Sequence, residues 1–343
     1  MNEQSRPVAR LRNVDSHTFH HQIVPRGEPV VLEGLAADWP AVRAGRQSPE
    51  AACAYLAALD SGVEADAVLV PAGLGGRMFY TPDLGNFNFA RRKLTVSATL
   101  QHLVRYSHFE SPPSMALQSA HIARCLPGFE AANPMPLMDA GVHPRLWLGN
   151  AFLTPAHIDE LDNLACVMSG RRRFTLFPPE QVRNLYIGPL DFTPAGAPVS
   201  MVSLKSPDFG RHPRFREALA ASQVADLAPG DALFIPAVWW HHVESFDVVN
   251  VLVNYWWQQA AAAQPDRVSP TKTMRPCAPE HPPPAAGAAR GVGGAVFALR
   301  LRRPRRRRDA PSSLASRRAG RTAARAARRP VDQHRAARQG RLT

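Results

Sequence analysis

The sequence predicts a mainly β protein, a sandwich or barrel of short strands flanked by N-terminal α/β elements and a basic C-terminal tail. Two observations point there. Between residues 114 and 257, apolar runs of strand length alternate with Gly, Pro or polar turns. Upstream, a β-branched run is followed by two segments with helical periodicity and caps. A third observation bounds the domain: after Trp257 the composition turns to Pro, Ala and Arg.

Each element has a local reason. "EPVVLEGL" (28–35) is β-branched and ends at Gly34, with "ADWPAV" read as a turn. "SPEAACAYLAALD" (48–60) reads as a helix with Ser48 as N-cap, Pro49 in the first turn and Glu50 at the positive end of the dipole. "TVSATLQHLVRY" (95–106) reads likewise, capped by Thr95, with Val96, Leu100 and Leu103 on one stripe. The strands follow: "MALQSA", "RLWLGN", "LACVMS", "RRFTLF", "DALFIP" and "VVNVLVNYWW". One amphipathic helix, "PRFREALAASQ" (213–223), interrupts them.

Composition excludes several classes. The start is polar and lacks an apolar core, so no signal peptide is expected. No run approaches the ~20 apolar residues of a membrane helix. Cys53, Cys125, Cys166 and Cys277 form no CxxC pair, which argues against a thiolate zinc site and suits a cytoplasmic protein. The net charge of +13 belongs to the tail. Residues 266–343 hold 20 of the 41 basic and four of the 28 acidic residues, leaving the rest at −3. Residues 259–343 have almost no aromatic or β-branched residues and are expected to be disordered, or else translated out of frame from GC-rich DNA. In the first case, residues 300–341 are either a solvated tail or a segment that makes nonspecific contact with nucleic acid through phosphate charge.

Chemistry concentrates in "TPAHIDELDN" (154–163). In an extended strand, residues i and i+2 share a face, so His157 and Asp159 would project together. Two His and one carboxylate with open positions is the donor set of non-haem Fe(II) oxygenases. Two other triplets, His108-Phe109-Glu110 and His242-Val243-Glu244, match more loosely. A third ligand is expected from "PGDALFIPAVWWHHVESF" (229–246), where His241 and His242 point to opposite faces. Arg172 alternates with Phe174 and Leu176 on one strand face, Arg171 and Arg173 on the other. Asn254 lies in an apolar run and needs a partner, the cosubstrate being one possibility. Asn250, on the same face, is the rival structural amide. Trp239, Trp240, Trp256 and Trp257 read as packing residues.

"GNAFLTPAHIDELDNLACVMSGRRRFTLFPPEQ" followed by "PGDALFIPAVWWHHVESF" and "NVLVNYWW" resembles the JmjC, or cupin-like, oxygenases. It is most similar to the branch containing the asparaginyl hydroxylase of hypoxia-inducible factor. The similarity takes in "PVVLEGLAADWP" and "NFNF" (86–89) and spans residues 20–258, leaving 1–19 as an extension. The resemblance implies a double-stranded β-helix, or jelly roll, with its core over 114–258. It also implies Fe(II), 2-oxoglutarate and O2, and hydroxylation or demethylation of a protein, RNA or small molecule. The metal triad falls on His157, Asp159 and His241. Arg172 takes the place of the lysine that grips the far carboxylate of 2-oxoglutarate, while Thr154, Asn163 and Asn254 fall on polar pocket positions. Ala116 replaces a tyrosine of the relatives, which raises a second reading, a metal-binding cupin module without turnover. The family's dimerising C-terminal helices have no counterpart after Ser269-Pro270, which puts a homodimer in doubt.

Overall fold

A computed structural model describes residues 5–258. Everything expected of 259–343, and of Cys277, lies outside the described residues. Fourteen strands form the frame. In chain order they are β1 (Arg6–Pro7), β2 (Ala9–Leu11), β3 (Val30–Leu32), β4 (Ala65–Val70), β5 (Ala90–Leu94), β6 (Ser114–His121) and β7 (Arg145–Gly149). Then come β8 (Phe152–His157), β9 (Asp162–Ser169), β10 (Arg172–Phe177), β11 (Gln223–Leu227), β12 (Ala232–Ile235), β13 (Trp240–Ser245) and β14 (Asn250–Trp257). They build a five-stranded sheet, β1-β11-β10-β13-β8, and a nine-stranded sheet, β2-β3-β12-β9-β14-β7-β6-β4-β5. Residues read as an N-terminal extension thus supply edge strands to both sheets.

Alternation sorts the side chains into layers. Ala165, Val167, Leu233 and Leu252 of the large sheet meet Phe174, Leu176, Ala225 and Leu227 of the small one, filling the jelly-roll interior. The other face of the large sheet (Leu164, Cys166, Met168, Val251, Val253, Tyr255) packs against Phe19, Trp39, Leu100 and Phe129. The outer face of the small sheet carries Ala156, Phe177 and Trp240 under Phe215 and Leu219 of the helix Phe215–Ala221. β9 and β14 are apolar on both faces because both are covered, which is why they read as continuous runs.

Both capped helices form as expected. The helix Pro49–Leu59 starts with Ala51 N–H donating to Ser48 Oγ at 3.1 Å. The helix Val96–Tyr106 starts with Ala98 N–H donating to Thr95 Oγ1 at 3.0 Å. The "ADWPAV" turn is corrected: Trp39 caps a helix, Pro40–Gln47, that begins at Pro40. This helix lies against β9 at Gly45, where any Cβ would fall on the Met168 carbonyl. The later helix is shorter than expected, because Gln223 leaves it to open β11. No helix among the described residues is long and apolar enough to cross a membrane.

Candidate metal centre

His157 ends β8 and His241 sits second in β13, and the register pairs the two directly across the small sheet. Their rings lie 4.2 Å apart between centroids. Asp159 is not on the strand. β8 stops at His157, residues 158 and 159 belong to no strand, and the chain bends at 160–161 before β9. Two bonds hold that segment against the second motif: Val238 N–H donates to the Asp159 carbonyl at 2.9 Å, and Ala237 N–H to Asp162 Oδ1 at 2.8 Å. Val238 has φ 64, costly for a β-branched residue, in the turn that delivers His241. Asp159 therefore reaches the site from a short segment beyond the strand that is tied to the 237–238 turn.

His157, Asp159 and His241 each present one donor atom, all within 4.8 Å of one another. The Asp159 Oδ2 to His241 Nε2 distance is 3.6 Å. The backbone fixes both imidazole tautomers. His157 Nδ1 lies 2.9 Å from the Pro155 carbonyl and His241 Nδ1 lies 3.0 Å from that of Trp239. A carbonyl only accepts, so each Nδ1 carries the proton and each Nε2 keeps its lone pair for a metal. Burial, followed by the neighbouring His157, holds the His241 imidazolium well below its ordinary range. Neutral nitrogen donors beside a carboxylate are the donor chemistry a divalent first-row metal requires.

The carboxylate is held from behind. Trp256 Nε1 donates to Asp159 Oδ2 at 3.0 Å, and Asn163 Nδ2 donates to the same oxygen at 3.3 Å. Asn254 Nδ2 in turn donates to Asn163 Oδ1 at 3.0 Å, and Trp147 Nε1 to Asn254 Oδ1 at 2.8 Å. Two expectations change here. Trp256 orients a metal-binding carboxylate and does more than pack. The buried Asn254 amide is already partnered within the protein, and no cosubstrate is needed to satisfy it. Asn250 is the structural amide, bonded to the backbone of Asp247.

The rest of the interior face carries Thr154 and Arg172. β8 has a register shift: His241 faces His157, but Val243 faces Thr154. The extra residue lets Thr154 and His157 share the interior face although they are three apart. Across β10, Leu176 pairs with His241, Phe174 with Val243 and Arg172 with Ser245, so Arg172 shares that face too. Its flanking arginines point away and find carboxylates: Arg171 pairs with Asp247 at 2.8 Å and Arg173 with Asp226 at 2.7 Å. Arg172 keeps slight exposure as a residue, yet its Nε is fully buried without a partner. Burial alone lowers its guanidinium to about 10, still cationic at neutral pH. Ala116 lies on β6 opposite Gly149 and packs near Val68, Met78 and Phe152. His242 takes the opposite face from His241, with Nε2 3.7 Å from Glu244 Oε1. The third triplet, His108 to Glu110, is exposed.

The Cupin-like domain family matches residues 16–263 of this sequence. The chain belongs to the cupin-like, JmjC-type oxygenase family. Among similar proteins, HSPB1-associated protein 1 of Homo sapiens is 38% identical over 118 residues, 34% of this chain and 24% of that protein. Lysine-specific demethylase 8 of Xenopus tropicalis is 28% identical over 253 residues, 70% of this chain and 50% of that protein. tRNA wybutosine-synthesizing protein 5 of Mus musculus is 26% identical over 278 residues, 75% of this chain and 80% of that protein.

Within this cupin-like site, Trp147 and Trp256 are the residues that sequence reasoning missed. No spacing rule predicts an indole aimed at a carboxylate from another strand. Trp256→Phe removes the 3.0 Å donor to Asp159 while keeping most of the ring. Such outer partners are typically worth ~10–100-fold in metal affinity. A Co(II) titration of the variant is expected to show at least a tenfold weaker dissociation constant. An unaltered constant would reduce Trp256 to a packing residue.

Proposed function

We propose that this protein is an Fe(II)- and 2-oxoglutarate-dependent oxygenase of the hydroxylase type acting on a protein or other macromolecular substrate. The observation that carries the reading is the convergence of two Nε2 lone pairs, each set by a backbone carbonyl, with a carboxylate fixed by Trp256 and Asn163. His157, Asp159 and His241 would hold Fe(II). The chemistry that bound Fe(II) and 2-oxoglutarate supply is O2 activation, yielding succinate, CO2 and one oxygen atom inserted into a substrate C–H bond. The protein's residues bind and orient. Arg172 would grip the far carboxylate from the deep end of the interior, and a guanidinium does this with two parallel hydrogen bonds. Thr154 lines the path between, and Asn163 and Asn254 keep Asp159 aimed. The names of two relatives refer to lysine and to tRNA, which supports a macromolecular substrate.

The test is direct. Purified protein given Fe(II), ascorbate and 2-oxoglutarate is expected to release succinate, with release abolished by a chelator. Failure to consume 2-oxoglutarate with Fe(II) bound would sink the oxygenase reading. A second reading is a cupin module that binds metal without turnover: Ala116 offers no hydroxyl where the family resemblance implies a tyrosine. Metal bound at one equivalent with no measurable 2-oxoglutarate affinity would select it.

A further inference from the structure

Arg145 opens β7, and its neighbours define where it points. Leu146 and Leu148 are buried in the outer core of the large sheet, so Arg145 and Trp147 take the interior face. Trp147 indeed reaches Asn254. Arg145 is the cross-strand partner of Asn254, and cross-strand partners share a face. It therefore faces the same interior as the Asn254–Asn163–Asp159 chain. Along β14 it lies two residues from the level of Trp256, which bonds the metal-binding carboxylate. Arg172 instead lies four residues along β10 from Leu176, the partner of His241. One cation is deep and the other is beside the metal end.

Arg145 is half-buried and has no acid partner among the described residues. Its hydrogen bond is a long one, 3.4 Å from Nη1 to the carbonyl of Ser119, a residue held at φ 49 in an irregular stretch of β6. Burial alone lowers its guanidinium, with no carboxylate acting on it. Burial, followed by Arg145 and Arg124, holds the nearby His121 imidazolium below its ordinary range, while Glu130 on this side lies 3.9 Å from His143. Part-buried guanidinium groups normally find carboxylates, as Arg173 does here. A dicarboxylate cosubstrate spends one end on the metal and the other on one cation. Arg172, being deep, takes that role, so Arg145 remains for a different anion.

We propose that Arg145 is a substrate-anchoring residue: it receives an anionic oxygen group, a carboxylate or phosphate of the substrate, at the metal end of the jelly roll. This inference rests on the oxygenase reading above. The test uses protein carrying Mn(II), inert to O2, in place of Fe(II). 2-Oxoglutarate is titrated first, then acetate and inorganic phosphate in separate arms at low salt. Wild-type protein with 2-oxoglutarate bound is expected to bind at least one of the two anions, the better one naming the group. Arg145→Gln should weaken that binding at least tenfold and leave 2-oxoglutarate affinity within twofold of wild type. Arg145→Lys should recover most of the loss, which a packing role would not produce. Equal anion binding in wild type and Arg145→Gln overturns the proposal. So does loss of 2-oxoglutarate binding in that variant, which would make Arg145 the cosubstrate's anchor. If wild type binds Mn(II) but no 2-oxoglutarate, the oxygenase reading fails first and this inference with it.

Discussion

His157→Ala is expected to abolish succinate formation and to weaken Fe(II) or Co(II) binding by well over ~100-fold, more than the loss typical of an outer-shell partner. The size follows from the geometry. Among the described residues three protein donors converge, and His157 supplies one of the two Nε2 lone pairs. The fold should survive the change, because His157 ends its strand partly exposed and its backbone pairing with His241 does not need the ring. Metal linkage gives an independent readout. Wild-type protein at 100 times the dissociation constant gains about 2.7 kcal/mol of stability from metal. For a domain of this size that is a rise of roughly 5–10 °C in Tm. The variant should show no rise at the same metal concentration. If the variant still gains stability from metal and still makes succinate, His157 is not a ligand and the triad assignment fails.

The parts of the site visible in the sequence are those that obey strand alternation. Arg172, Phe174 and Leu176 share a face by simple counting, and the register confirms it. His241 and His242 separate for the same reason. Alternation fails where the backbone departs from a plain strand. The β8 irregularity turns Thr154 and His157 the same way, and the segment 158–161, outside any strand, delivers Asp159. Neither is encoded in spacing, and the second depends on bonds from the distant 237–238 segment. Composition has parallel limits for the fold. β14 is legible because it is apolar on both faces. β5, "ARRKL", is an edge strand whose charged surface hides its extended backbone. The helix Pro40–Gln47 is masked by Trp39-Pro40, which reads as a turn but serves as the helix start.

The metal site and Arg172 are linked through one sheet. β10 and β13 carry the deep cation and His241 on a shared interior face, with Phe174 and Val243 between them. A dicarboxylate laid along that face would meet metal at one end and guanidinium at the other, with Thr154 alongside. The stack is rigid, since Phe174 and Leu176 are buried and both flanking arginines are tied by ion pairs.

Arg172→Leu is therefore expected to raise stability and destroy cosubstrate binding at once. A guanidinium whose Nε is buried and unpartnered among the described residues is a net cost to the fold, because that donor's hydration is lost and no carboxylate among them replaces it. Even a paired buried charge replaced by well-packed apolar residues of similar volume is often neutral or stabilising by about 1–4 kcal/mol, the upper part of which corresponds here to several degrees in Tm. The same change removes a charge-assisted, two-pronged contact to the far carboxylate. At ~1.5–3 kcal/mol per charged hydrogen bond, two lost bonds weaken 2-oxoglutarate binding by at least ~100-fold. Arg172→Lys should fall between, keeping the charge but losing the fork. Thermal denaturation of the metal-free variants and 2-oxoglutarate titration of the Mn(II)-loaded ones separate the two effects. A leucine variant that is less stable than wild type yet binds 2-oxoglutarate equally well would mean that Arg172 is structural. A stabilised variant that has lost the cosubstrate would show that the unpaired charge persists for binding and not for folding.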